Sequence, residues 1–248
     1  MASTNETGHA KNVTTFEDLI SFCTGYGVTY NPSKAALKLP ALTIQLAGAN
    51  TALQTVKTAK TVYDNSTNAR ELAFKPLKPL ATKIINALAA TEATKQTVDD
   101  VKSTNMKIQG RRTKAVEKPT AAALAAGAEP VKTASTSQQS YDKLIDHFAQ
   151  LIATLTAEPK YIPNENELKV ATLNTMLTDL RAKNTAVITA TTALSNARIA
   201  RDKALYAETV GMVDTAQDVK QYVKSLFGAT SPQYKQVSGL KFNRPKGD

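Results

Sequence analysis

Residues 42–63 read LTIQLAGANTALQTVKTAKTVY, and their spacing decides the fold class. Leu42, Leu46, Ala49, Leu53, Val56, Lys60 and Tyr63 fall at alternating steps of four and three. That is a heptad seam of period 3.5, the pattern of a helix that packs one stripe against another helix. The pattern occurs twice. Residues 173–194 read LNTMLTDLRAKNTAVITATTAL, and Leu173, Leu177, Leu180, Asn184, Val187, Thr191 and Leu194 each lie 131 residues after a counterpart (173 − 42 = 131).

Outward from the seam, further pairs return in the same order. Phe16-Glu17-Asp18-Leu19-Ile20 matches Tyr141-Asp142-Lys143-Leu144-Ile145, and Tyr30-Asn31-Pro32 matches Tyr161-Ile162-Pro163. Leu37 matches Leu168, Asn68-Ala69-Arg70 matches Asn196-Ala197-Arg198, Val101-Lys102-Ser103 matches Val223-Lys224-Ser225, and Ile108-Gln109-Gly110 matches Val237-Ser238-Gly239. The expectation is an all-α protein of tandem duplicated helical repeats. They would form an elongated antiparallel helix bundle with pseudo-two-fold symmetry, each repeat closing its apolar stripe on the other.

Composition agrees. The chain has 38 Ala, 33 Thr and no Trp, and aromatics are 6% of its 248 residues. A core of small and aliphatic side chains suits closely packed helices better than a sandwich built on aromatic and β-branched alternation. Cys23 is the only cysteine, which excludes an intrachain disulfide. The polar N-terminus lacks the basic-then-apolar pattern of a secretory signal, and no run approaches a membrane span of ~18 apolar residues. A cytoplasmic location is expected, with signal-less export as the exception.

Residues 1–13 read as a flexible N-terminal tail, 14–110 as repeat 1, 111–138 as an Ala/Pro/Ser/Thr linker, 139–228 as repeat 2 and 229–248 as an extended C-terminal tail. Thr15 is placed to cap a helix from Phe16 to Cys23, with Asp18 in the capping-box position. Pro76 and Pro79 interrupt the first long helix. A new helix then starts near Pro79, with Leu80, Ile84, Leu88 and Val98 on its inner face. Repeat 2 lacks these prolines. A helix from Glu165 to Phe227 is compatible with its pattern, Gly211 is the weakest point, and the pattern leaves a straight rod or a hairpin open.

The chemistry-bearing residues are sparse. His9 and His147 are the only histidines, and neither has a His, Cys, Asp or Glu three or four positions further on, so no metal site is expected. Cys23 has no base beside it and reads as a packed thiol. Phosphate-binding, dinucleotide and nucleophile-elbow motifs are absent. The carboxylate pairs Asp99-Asp100 and Glu165/Glu167 do not share a helix face. No catalytic residue and no cofactor is expected.

The formal charge is +10. Basic residues gather at the ends of both repeats: Lys107, Arg111, Arg112 and Lys114 after the first, Lys235, Lys241 and Arg244 after the second. They form a candidate anion-binding surface for nucleic acid or another polyanion. The competing reading is that cations at helix C-termini are worth ~0.3–1 kcal/mol each. Val237, Leu240 and Phe242 in the tail are candidates for docking onto an apolar groove of this chain or of a neighbour, since solvated tails are poor in such residues.

Leu80-Ala81-Thr82-Lys83-Ile84-Ile85-Asn86, Ser137-Gln138-Gln139-Ser140-Tyr141-Asp142 and Gly228-Ala229-Thr230-Ser231-Pro232-Gln233-Tyr234-Lys235 resemble segments of uncharacterised helical proteins of Bacteroidetes type. The resemblance implies a bacterial origin and brings no activity, site or substrate. The function expected from the residues is non-enzymatic. It is a structural or scaffolding protein working through protein–protein contacts, self-assembling as a homo-oligomer. Nucleic-acid or polyanion binding is the alternative.

Overall fold

The structure is a computed structural model and describes residues 8–111 and 138–244. It is all-helical, with no strand among the described residues. Helix α1 is His9–Gly25, α2 Leu39–Phe74, α3 Leu77–Ala89 and α4 Lys95–Gln109. After the undescribed interval come α5 Tyr141–Ala157, α6 Val170–Tyr206, α7 Met212–Phe227 and α8 Pro232–Ser238.

The described chain divides into two compact units, one joining the two ends of the sequence and the other formed by its contiguous middle. Unit 1 takes the chain up to Asp64 and again from Ala190; unit 2 is Asn65–Thr189. The core of unit 1 joins Phe16, Leu19 and Cys23 of α1, Leu42 and Ala49 of α2, and Met212, Ala216, Val219 and Val223 of α7, with Val237 of α8. The core of unit 2 joins Leu77, Ala81, Ile84 and Leu88 of α3, Val101 and Ile108 of α4, Phe148, Leu151 and Leu155 of α5, and Leu173, Leu177 and Leu180 of α6. Each core thus draws on both halves of the sequence.

Both cores use the same loop closure. Before α2, a 3-10 turn at Ala35–Leu37 is tied down by the buried Tyr30, whose hydroxyl donates to the Leu37 carbonyl at 2.8 Å. Before α6, a 3-10 turn at Asn166–Leu168 is tied by Tyr161, whose hydroxyl donates to the Leu168 carbonyl at 2.9 Å. The offset is again 131 (161 − 30 and 168 − 37). Burial pushes the Tyr161 hydroxyl up to about 12, so it donates at every accessible pH. Tyr30→Phe and Tyr161→Phe should each cost about 1–1.5 kcal/mol, because each leaves a buried carbonyl unpaired. Urea titration of the two variants checks this. Equal losses are expected, and a loss at one position alone would break the equivalence.

Helix ends follow local chemistry. Pro76 has no N–H to extend α2, and Pro79 is tolerated because it falls in the first turn of α3. The helix expected to carry both Leu80 and Val98 is two helices. Ala90 closes α3, and the Thr94 side chain caps α4 by accepting the Thr97 N–H at 3.2 Å. Gly110 ends α4 in the left-handed region at φ 77°, with Arg111 N–H returning to the Met106 carbonyl at 2.9 Å.

Two further expectations differ from the structure, and one alternative left open is decided. Helix α1 begins at His9 instead of Phe16, and Thr15 is a buried interior residue instead of a cap. The earlier start buries Asn12 and Val13, which a solvated tail would leave exposed. The run from Glu165 to Phe227, for which the pattern left a rod or a hairpin open, is broken after Tyr206 by a turn around Gly211. The segment expected to be extended from 229 contains α8, capped by Ser231, whose hydroxyl accepts the Tyr234 N–H at 3.1 Å. The Ala121–Ala126 stretch lies outside the described residues.

Candidate functional site

An uncharged stripe with exposed aliphatic side chains lies on the solvent face of α2 within unit 1. Ile44 and Val62 are eighteen residues apart (62 − 44), five turns at about 3.6 residues each, so they lie on one side of the helix. Between them on the same side come Gly48, Thr51, Thr55 and Thr58, all exposed and all uncharged. Ile44 is 74% exposed and Val62 50%, and Ile199 of α6 is 64% exposed. The threonines do not present free hydroxyls throughout. Thr51 donates to the Ala47 carbonyl and Thr55 to the Thr51 carbonyl, both at 2.9 Å. Bonding back to the preceding turn turns the polar atom inward and leaves the methyl outward. A groove of about 450 Å³ runs beside this stripe, lined by Thr51, Gln54, Thr55, Thr58 and Ala59 of α2 and by Ala193 and Ala197 of α6. Sequence reading followed the buried seam of α2 and passed over this opposite face. The signal was available, as Ile44 and Val62 stand out of register with the heptad.

The expected tail residues pack within unit 1. Val237 is fully buried, and Leu240 and Phe242 lie against the core formed with α1 and α7. Cations hold this segment down. Lys220 of α7 donates to the Leu240 carbonyl and stands 5.1 Å from the centre of the Phe242 ring. Lys224 stands 5.8 Å from the Tyr234 ring centre. Arg244 pairs with Asp214 and donates to the Tyr206 carbonyl at 3.1 Å. The Arg244 guanidinium holds the Asp214 carboxyl below its usual range, helped by the Thr209 N–H.

The other expected anion-binding residues divide between the units. Lys235 and Lys241 are exposed in unit 1; Lys107 and Arg111 are exposed at the end of α4 in unit 2. Arg112 and Lys114 lie outside the described residues. Of the Asn-Ala-Arg pair, Arg198 is exposed, whereas Arg70 is half-buried in unit 2. The Arg70 guanidinium lies 4.0 Å from the Tyr141 ring centre and donates to Asn184 Oδ1 at 3.1 Å, and Asn184 donates to Asp142 at 2.7 Å. This ties α2, α5 and α6 together through Asn184, a polar residue of the second seam.

The titratable groups have structural surroundings. Burial pushes the Cys23 thiol up to about 11, which removes the thiolate a nucleophile needs. His147 is buried with Nε2 unpaired; burial, then the Lys107 ammonium, lowers its pKa. Among the described residues no three His, Cys, Asp or Glu side chains gather in a metal-binding group, and no helix is long and apolar enough to cross a membrane. No protein-family model, curated protein or solved structure matches the chain. The functional reading therefore rests on these side chains.

Proposed function

We propose that this chain is a non-enzymatic structural protein that associates with further copies of itself through the uncharged outer face of α2, and that it arose by internal duplication. The observation that carries the first part is the stripe from Ile44 to Val62. Five turns of one helix carry exposed aliphatic and small side chains with no charge among them. Such side chains lose little rotamer freedom when ordered by a neighbour, and back-bonded threonines have less water to shed. The Tyr30 and Tyr161 closures, in register at 131 residues, support the duplication.

The polyanion reading has less support. Lys220, Lys224 and Arg244, three of the cations at the end of the second repeat, are engaged within the chain. Val62→Lys tests the proposal. At a half-exposed position it should change folding stability by no more than ~0.5 kcal/mol. In a copy-to-copy contact it should weaken association by more than about tenfold, since an ammonium would be desolvated without a partner. Size-exclusion chromatography beside a circular-dichroism melt reads both. Unchanged association in Val62→Lys and in Ile44→Lys would remove this face from the account.

A further inference from the structure

We propose that residues 240–244 form an acid-released latch, held to unit 1 by a chain of hydrogen bonds that runs His9–Tyr206–Asn12–Asn243. Asn12 of α1 is 1% exposed and reads the tail by its backbone. Its side-chain carbonyl accepts the Asn243 N–H at 3.0 Å, and its amide nitrogen donates to the Asn243 carbonyl at 2.6 Å. The same nitrogen donates to the Tyr206 hydroxyl oxygen at 3.1 Å. The tail thereby fixes which way round the Asn12 amide sits.

That orientation fixes the next group. The Tyr206 oxygen receives the Asn12 N–H, so its own proton needs an acceptor. His9 Nδ1 stands 2.8 Å away. The acceptor role requires a neutral imidazole with Nδ1 bare. If His9 takes up a proton, Nδ1 becomes a donor and the Tyr206 proton must turn elsewhere. The Asn12 carbonyl could take it only if the amide turned over. A reversed amide sets N–H against the Asn243 N–H and carbonyl against the Asn243 carbonyl. Protonation of His9 and retention of the tail therefore oppose each other.

The surroundings set the pH range. From α6, Arg201, Asp202 and Tyr206 face His9, with Asp202 at 4.0 Å; Arg201 is itself paired to Asp202 at 2.8 Å. From the tail, Arg244 binds the Tyr206 carbonyl and Asp214 of α7. Burial and then Arg201 lower the His9 pKa below its usual 6.5, with Asp202 opposing them. His9 is also the first residue of α1, where the helix dipole disfavours a cation. A histidine lowered in this way binds its proton less well with the latch closed. The latch holds above the usual value and is lost as pH falls through the lowered one.

The chain has no tryptophan, so Phe242→Trp places a single reporter in the latch. Its emission should be blue-shifted at pH 8 and move to the red at pH 5, the interval in which histidine charge changes. His9→Gln, which stays neutral and can still accept from Tyr206, should abolish the shift. His147→Gln, in the other unit, should leave it intact. In the unmodified protein, the Asn243 amide should be protected from hydrogen exchange at pH 8. That protection should fall at least about tenfold at pH 5 after correction for intrinsic rates, while the Leu19 amide of α1 stays protected. Equal protection of Asn243 at both pH values, absence of protection at pH 8, the same loss in His9→Gln, or simultaneous loss at Leu19 would each overturn the latch.

Discussion

Gly211→Ala should destabilise the protein by about 3 kcal/mol, an unusually large effect for the addition of one methyl group. A Cβ at this position would stand 2.6 Å from the Ala207 nitrogen, 2.6 Å from the Ala207 oxygen and 2.9 Å from the Tyr206 carbonyl carbon. These are backbone atoms of the turn itself, so no side chain can swing aside. The turn is closed by the Gly211 N–H to the Ala207 carbonyl at 2.8 Å and by the Val210 N–H to the Glu208 carbonyl at 2.8 Å. It already holds Thr209 at φ 64°, unfavourable for a β-branched residue, with the Thr209 N–H given to Asp214 at 2.8 Å. Gly48→Ala is the contrast. That glycine lies inside α2 with nothing near its missing Cβ, so the change should stabilise by about 0.5–1 kcal/mol. Urea midpoints at unchanged slope measure both. A loss below ~0.5 kcal/mol at Gly211 would show that the turn opens at little cost.

Phe148→Ala should cost about 3–5 kcal/mol, because the ring is fully buried and its removal leaves a cavity among α3, α4, α5 and α6. Phe16→Ala, equally buried among α1 and α7 in unit 1, belongs to the same range. The sites of weakening should differ. Hydrogen exchange should report loss of protection at Val101 and Ile108 for Phe148→Ala, and at Val219 and Val223 for Phe16→Ala. Loss of the same set of amides in both variants would mean that the two cores open as one.

The helical class was legible from the seam residues, because period 3.5 cannot be satisfied by a strand. Leu173, Leu177, Leu180, Val187 and Leu194 are all buried as their spacing demands. Lys60 is exposed and pairs with Asp64, which marks where the seam of α2 loosens. The break at Pro76 was legible too, since a missing N–H is a local matter. The break at Gly211 was only half legible. The sequence offers a glycine, but the demand for one comes from backbone atoms four residues back. The start of α1 was misread because Asn12 looks like a tail residue until Asn243, 231 residues away, takes up its amide. The division into one unit that joins the two ends of the sequence and another that is its middle was not legible at all. Pairing of stripes depends on which helices meet, and two copies of one pattern present nearly the same stripe. The outer face of α2 escaped notice because attention to a buried seam discards the opposite side.

Mass photometry of the unmodified full chain, over a range of protein concentration and salt, tests the central claim most directly. Self-association through an uncharged face predicts species above the 26.6 kDa single chain that grow with concentration. They should also grow with added salt, because screening relieves the repulsion between copies of net charge +10. A polyanion-binding protein shows the opposite salt dependence, with complexes on added duplex DNA that dissolve as salt rises. A single species at 26.6 kDa under every condition, together with salt-labile binding to DNA, would contradict the structural reading.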